Sequence, residues 1–196
     1  MQQPFTRYQA ENGYTLVEIE LNTVQQLFNS LDPAPFRDKD LDKNAEEYIT
    51  DAIQELPMST LVKLVFYLPA DQLALAESSQ LAQSIHNYFD YCQWMTRLRL
   101  RLQLREGRWA LVIGLGFLFI CLSLRALIAV AGPTTLDAIL AEGLLILGWV
   151  AMWRPLEVFL YAWWPIARRA KLYDKLKRIP IEVRPKPTEL PATRAR

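Results

Sequence analysis

Arg125 and Glu142 are ionisable residues set in otherwise apolar stretches, and that placement is the first chemical signal in the chain. A charge held in hydrocarbon must pair, reach for the headgroups or line a polar path, because leaving it bare is costly. Arg125 lies six residues before Ala131, and Glu142 six after Leu136. On helices rising ~1.5 Å per residue, both fall roughly 9 Å below the turn that joins them. Equal depth on adjacent helices predicts an intramembrane ion pair. In one reading that pair holds a hairpin together, or Arg125 snorkels outward. In the other, the two groups form a polar patch on an ion path or a contact with a partner helix. Asp137 and Glu142 would then stand near the outer mouth of a pore.

A second cluster invites a metal reading. The proline-punctuated loop from Leu31 to Asp42 carries four aspartates. Asp40, Asp42, Asn44 and Asp51 fall on positions 1, 3, 5 and 12 of a calcium-loop register. That register requires glycine where Ala45 stands and a bidentate glutamate where Asp51 stands. The acids are read instead as caps, suited to the positive end of a helix, and no metal is expected. His86 has no visible ligand partners. Cys92 and Cys121 are the only cysteines, one on the soluble side and one within a span, so no disulfide is expected. No nucleophile–base pair or phosphate-binding loop appears. The sequence therefore predicts neither an enzyme nor a cofactor.

The elements that position the charged pair are two apolar segments. Trp109 to Ala131 has Arg125 as its one charge. It makes a helix of about 34 Å, enough to cross a hydrocarbon core of ~30 Å. Gly132-Pro133 ends it, and Thr134-x-x-Asp137 resembles a capping box that opens the next helix. Leu136 to Trp153 is the second span, about 27 Å long. So short a turn makes the spans antiparallel neighbours. Arg97, Arg99, Arg101, Arg105 and Arg108 precede the first span, and Arg168, Arg169, Lys171, Lys175, Lys177 and Arg178 follow the second. The connecting turn has no basic residue. The positive-inside rule then predicts a multi-pass inner-membrane protein with both termini cytoplasmic. The N-terminus lacks the basic-then-apolar pattern of a signal peptide. A net charge of +1 gives no global basic field, so lipids are expected partners and nucleic acid is not.

The whole reads as an α+β membrane protein. Residues 1–70 form a small cytoplasmic α/β domain with about two strands. Tyr14 to Leu21 alternates, with Val17, Ile19 and Leu21 on one side, and Leu61 to Leu68 does the same. Lys63 would oppose Glu18 or Glu20 if these strands pair. Between them, Ala45, Tyr48, Ile49, Ala52, Ile53 and Leu56 mark one apolar helix face. Two strands leave open edges, which pairing between subunits would satisfy. A long helix over 71–108 continues into the membrane. On it Arg97, Arg101, Arg105 and Arg108 share one face, as a topology anchor or as a site for anionic lipid heads; Arg168 and Arg169 stand beyond the second span in the same capacity. Residues 109–153 are the hairpin. Residues 154–179 are read as an interfacial helix opened by Pro155, with Phe159, Tyr161, Trp163 and Trp164 at headgroup level, turning basic near Arg168. Residues 180–196, with Pro185, Pro187 and Pro191, read as a disordered tail.

Three stretches together resemble a family of uncharacterised bacterial two-span inner-membrane proteins. They are Leu27-Phe-Asn-Ser-Leu-Asp-Pro-Ala-Pro-Phe36 with Asp40-Leu-Asp42 and Ala45-Glu-Glu-Tyr-Ile49, Gly107-Arg108 with Ile113-Gly114, and Trp153-Arg-Pro-Leu-Glu-Val-Phe-Leu-Tyr161 with Trp163-Trp-Pro165. The resemblance implies a bacterial source and two spans, and carries over no activity or functional residue. The layout is also similar to that of pentameric magnesium channels and calcium uniporters. The Gly-Met-Asn turn of the former is replaced here by Gly132-Pro133-Thr134, and the acidic signature of the latter is matched only loosely by Asp137 and Glu142. The expected role is a non-enzymatic accessory or scaffold subunit that binds copies of itself or a partner membrane protein. The expected contact surfaces are Asp32, Phe36, Asp40 and Asp42 in the loop and Phe159, Tyr161, Trp163 and Trp164 after the second span. An oligomeric ion channel or transporter subunit is the alternative.

Overall fold

The structure, a computed structural model, describes residues 8–35, 39–78, 80–131 and 135–186. The chain divides into two compact units. One combines residues up to Gln93 with those from Lys171 onward; the other runs from Trp94 to Ala170.

The first unit is built on a sheet. Strands β1 (Ala10–Glu11) and β2 (Tyr14–Glu20) are joined by Asn12 and Gly13. Both turn residues have positive φ, 50° and 81°, the backbone a two-residue hairpin of matching twist demands. Strand β3 (Val62–Leu68) pairs with β2 in parallel, Thr15 beside Val62 through Glu20 beside Tyr67. Parallel pairing needs a crossover, which helix α1 (Lys43–Gln54) supplies. Asp42 starts α1, its carboxylate accepting from the Asn44 amide at 2.9 Å. Helix α2 (Ala70–Ser78) and the long α3 (Leu81–Ala131) follow, and β4 (Ile181–Pro185) closes the sheet beside β3, again in parallel. Val17, Leu64 and Phe66 from the sheet meet Ile49 and Ile53 of α1, Ile85 and Phe89 of α3, and Leu172 and Leu176 in one buried cluster.

Several expectations are corrected here. The sheet has four strands in the order β1-β2-β3-β4, where two were expected. Strand β4 lies inside the stretch read as a disordered tail, whose residues from 187 lie outside the described residues. Its prolines misled: Pro180 and Pro185 flank the strand, where an edge tolerates them, while Ile181 and Val183 alternate onto the core. With β1 on one side and β4 on the other, β2 and β3 are interior strands, and the open edges of the sheet are those of β1 and β4. Lys63 sits beside Leu16 in the parallel register, and its ammonium pairs across β3 and β4 with Glu182 at 2.7 Å. The helix expected from Asp71 is two helices, with Gln80 between them at a left-handed φ of 50°.

The second unit is helical. Beyond α3 lie α4 (Thr135–Ala151), α5 (Trp153–Glu157), a π turn (Val158–Ala162) and α6 (Trp163–Leu176). After a break at Met152, Pro155 stands buried in the first turn of α5, as read from the sequence, and α5, the π turn and α6 follow one another without a gap. The Arg97–Arg105 stretch, whose alternation mimics a strand, is helical throughout. Leu81–Ile128 and Thr135–Leu176 are long and apolar enough to cross a membrane, with mean hydropathies of 2.5 and 1.7 in their most apolar windows. Only 11% and 6% of those windows is buried. So much exposed apolar surface fits a membrane-spanning protein.

On the sheet face opposite the core, the Glu182 carboxylate is gripped by Arg184 at 2.8 Å and Lys63 at 2.7 Å. These contacts, Arg184 first, hold its pKa down to about 2 from the ordinary 4.5. A depressed carboxyl stabilises the fold above its unfolded pKa and loses that contribution as pH falls through its folded value. Glu182→Gln should therefore lower stability at neutral pH and flatten the acid limb between about pH 4.5 and about pH 2. Denaturant unfolding of the detergent-held protein across that range checks this; the group's exposure keeps the effect small.

Candidate functional site

The two spans meet through small residues. On α3, Gly107, Gly114 and Cys121 recur every seven residues, a spacing that keeps them on one helix face. A Cβ on Gly107 would stand 2.5 Å from Val158 Cγ1, and one on Gly148 2.7 Å from Leu118 Cδ1 and 3.4 Å from Cys121 Cβ. At Gly114 a Cβ would stand 3.0 Å from the Ala151 carbonyl oxygen. Pro155, four residues on, has no N–H to give that carbonyl the usual helix bond, and glycine makes room for its close approach.

These contacts set the register around the intramembrane charges. Gly107 against Val158, Gly114 against Ala151 and Gly148 against Leu118 carry Arg125 level with Ala141, one residue from Glu142. The seam thus brings the two residues to nearly the same level along the hairpin. Rotation about the helix axes does not favour the pair: Glu142 lies about 100° round α4 from Ala141. Both side chains are exposed, and among the described residues no ion pair joins them. Asp137 is half-buried in the first turn of α4. The turn residues Gly132, Pro133 and Thr134 lie outside the described residues.

At the other end of the hairpin is a charged and aromatic rim. Arg97, Arg101, Arg105 and Arg108 are exposed on α3, as are Arg168 and Arg169 on α6. Arg154 bridges Glu106 and Glu157, each at 3.1 Å. Tyr161 and Trp164 are 70% and 66% exposed, whereas the Trp163 indole donates to the Phe159 carbonyl at 2.8 Å.

In the soluble unit the loop acids do structural work. The Asp32 carboxylate accepts from the amides of Asp40 at 2.7 Å and Ala34 at 2.9 Å, which lower its pKa. Burial, then the charges of Asp32 and Glu46, raise that of Asp40. Phe36 lies outside the described residues. The calcium register is not gathered: Asp42 caps α1, and among the described residues no three His, Cys, Asp or Glu side chains converge as a metal site would need.

Sequence reasoning missed a half-buried polar clamp. Glu46 of α1 accepts from Tyr88 of α3 at 2.8 Å and from Tyr173 of α6 at 2.7 Å. Burial, followed by Cys92 and Glu46, pushes the Tyr88 hydroxyl well above the ordinary phenol range, so it remains a donor. Gln93 donates to Asp174, Lys177 pairs with Asp90 at 2.7 Å, and the His86 ring meets the Ile179 carbonyl at 2.9 Å. A groove of about 290 Å³ between β2 and α1 is lined by Glu18, Asp51 and Glu55 with Tyr8 and Tyr48. Among the described residues it is lined by carboxylates and phenols and by no cation or thiol.

The tightest contact in the hairpin yields a direct expectation. Gly107→Ala should destabilise by about 1–3 kcal/mol through overpacking on Val158. Val158→Ala in the same chain should recover part of the loss. Thermal unfolding in detergent reads both; a silent Gly107→Ala would show that the helices do not approach as closely as described. No family model, curated protein or solved structure matches the chain.

Proposed function

We propose that this protein is a non-enzymatic two-span subunit of a bacterial inner membrane, with both termini cytoplasmic, that associates with copies of itself. The observation that carries self-association is the pair of uncompensated charges. Arg125 and Glu142 stand at one depth, both exposed and unpaired among the described residues. A second hairpin related by a two-fold axis satisfies both: Arg125 of each copy meets Glu142 of the other, as an isologous contact allows. Desolvated in lipid, such pairs hold far more firmly than they would in water. The cytoplasmic placement rests on arginines and lysines flanking the hairpin at its inner end. The exposed Tyr161 and Trp164, and the loop holding Asp32, Asp40 and Asp42, offer further contact surface.

The same observation supports a second reading. A carboxylate facing away from its own hairpin, with Asp137 in the turn above it, also suits an assembled pore with Asp137 and Glu142 at its outer mouth.

Native mass spectrometry of the nanodisc-held protein separates the outcomes. A dimer or larger assembly is expected. Glu142→Gln should weaken it roughly tenfold or more, and Arg125→Glu with Glu142→Arg should restore it. A wild-type monomer contradicts self-association. An assembly indifferent to Glu142→Gln, with altered ion flux, favours the pore.

A further inference from the structure

We propose that the outward face of α3 at the membrane rim binds anionic phospholipid, its phosphates held by Arg101, Arg105 and Arg108 and its acyl chains lying along Val112, Gly116 and Phe119. The inference rests on the two-span reading. At 3.6 residues per turn these six residues fall within about 80° of one another, roughly 160° round the helix from the seam of Gly107, Gly114 and Cys121. The face is therefore turned away from the partner helix and toward lipid. Arg101, Arg105, Arg108, Val112 and Phe119 are all exposed. Gly116 lies in a gap between them, where an added Cβ would meet nothing within 4 Å.

Electrostatics selects the occupant. Among the described residues Arg101, Arg105 and Arg108 make no ion pair. The nearest acid in sequence, Glu106, lies on another side of the helix and is engaged by Arg154 at 3.1 Å. A row of guanidiniums repels the identical row of a second copy and attracts phosphate, which it meets with a planar fork of donors.

Depth agrees. The headgroup layer is about 5–8 Å thick on each side of the hydrocarbon core. With Arg108 at the core edge, Arg105 lies about 4.5 Å further out, inside that layer. Arg101, about 10 Å out, reaches back on its long side chain. Arg97, about 16 Å out, stands beyond direct reach and acts only through the screened field.

The test uses the full chain in phosphatidylcholine bilayers carrying a trace of spin-labelled phosphatidylcholine or phosphatidylglycerol. The immobilised spectral component reports lipid at the protein boundary whatever its charge. Phosphatidylglycerol should be enriched there by about threefold or more over phosphatidylcholine. The triple variant Arg101→Gln, Arg105→Gln, Arg108→Gln should bring the ratio close to unity. Arg→Lys at the same positions retains the charges needed for insertion and should keep only part of the preference. Equal immobilisation of the two lipids by the wild type overturns the proposal even if the Gln variant fails to insert. So does a Gln variant that keeps the full preference, or displacement of the labelled lipid by millimolar inorganic phosphate, which would make the site one for the free ion. No immobilised component with either lipid would overturn the two-span reading itself.

Discussion

The fold depends on one pairing, β4 with β3. The chain leaves the sheet at Leu68 and returns to the neighbouring position at Ile181, with all of α2 to α6 between. The ladder is anchored at both ends, by the Leu64 amide on the Pro180 carbonyl and the Lys186 amide on the Leu68 carbonyl, each at 2.9 Å. Because both ends of the hairpin join the same folded unit, a membrane crossed by it is crossed an even number of times. The polar contacts around β4 are partly exposed and individually weak; the burial of Leu64, Phe66, Leu172 and Leu176 behind the strands holds it in place.

The Glu46 clamp extends the same logic. Tyr88 precedes the hairpin and Tyr173 follows it, and both donate to one carboxylate on α1. A half-buried carboxylate satisfied by two phenols is well tolerated; with either phenol removed it keeps one partner and part of its solvent, at a modest cost. The clamp thus binds the outgoing and returning helices to the crossover helix of the sheet. In the hairpin itself apolar burial cannot do this job, since lipid is as apolar as leucine. Close approach at Gly107, Gly114 and Gly148 takes over, dispersion and backbone contact replacing the hydrophobic effect.

Much of this was legible in the residues. The lengths of the spans, the Asn12-Gly13 turn, the alternation of β2 and β3 and the Asp42 cap are local signals with local causes. What escaped depends on distant partners. β4 is five residues that follow one proline and end on another, and only β3 makes it a strand. The clamp joins residues 42 and 127 positions apart, a separation no periodicity reports. Pro155 reads as a helix start and does stand in the first turn of α5, but the close approach of Gly114 to Ala151 just before it has no local signal. The depth of Arg125 and Glu142 follows from counting residues, but whether they face each other depends on the seam. The seven-residue spacing of Gly107, Gly114 and Cys121 is the signal in the sequence that locates that seam.

Hydrogen exchange of the full-length protein in nanodiscs tests the central claim, that β4 is locked to β3 and closes the hairpin on one sheet. The account predicts that amides of residues 181–185 exchange as slowly as those of β3 and open together with them. Exchange of the β4 amides at the rate of an unstructured chain, with β3 still protected, would contradict it.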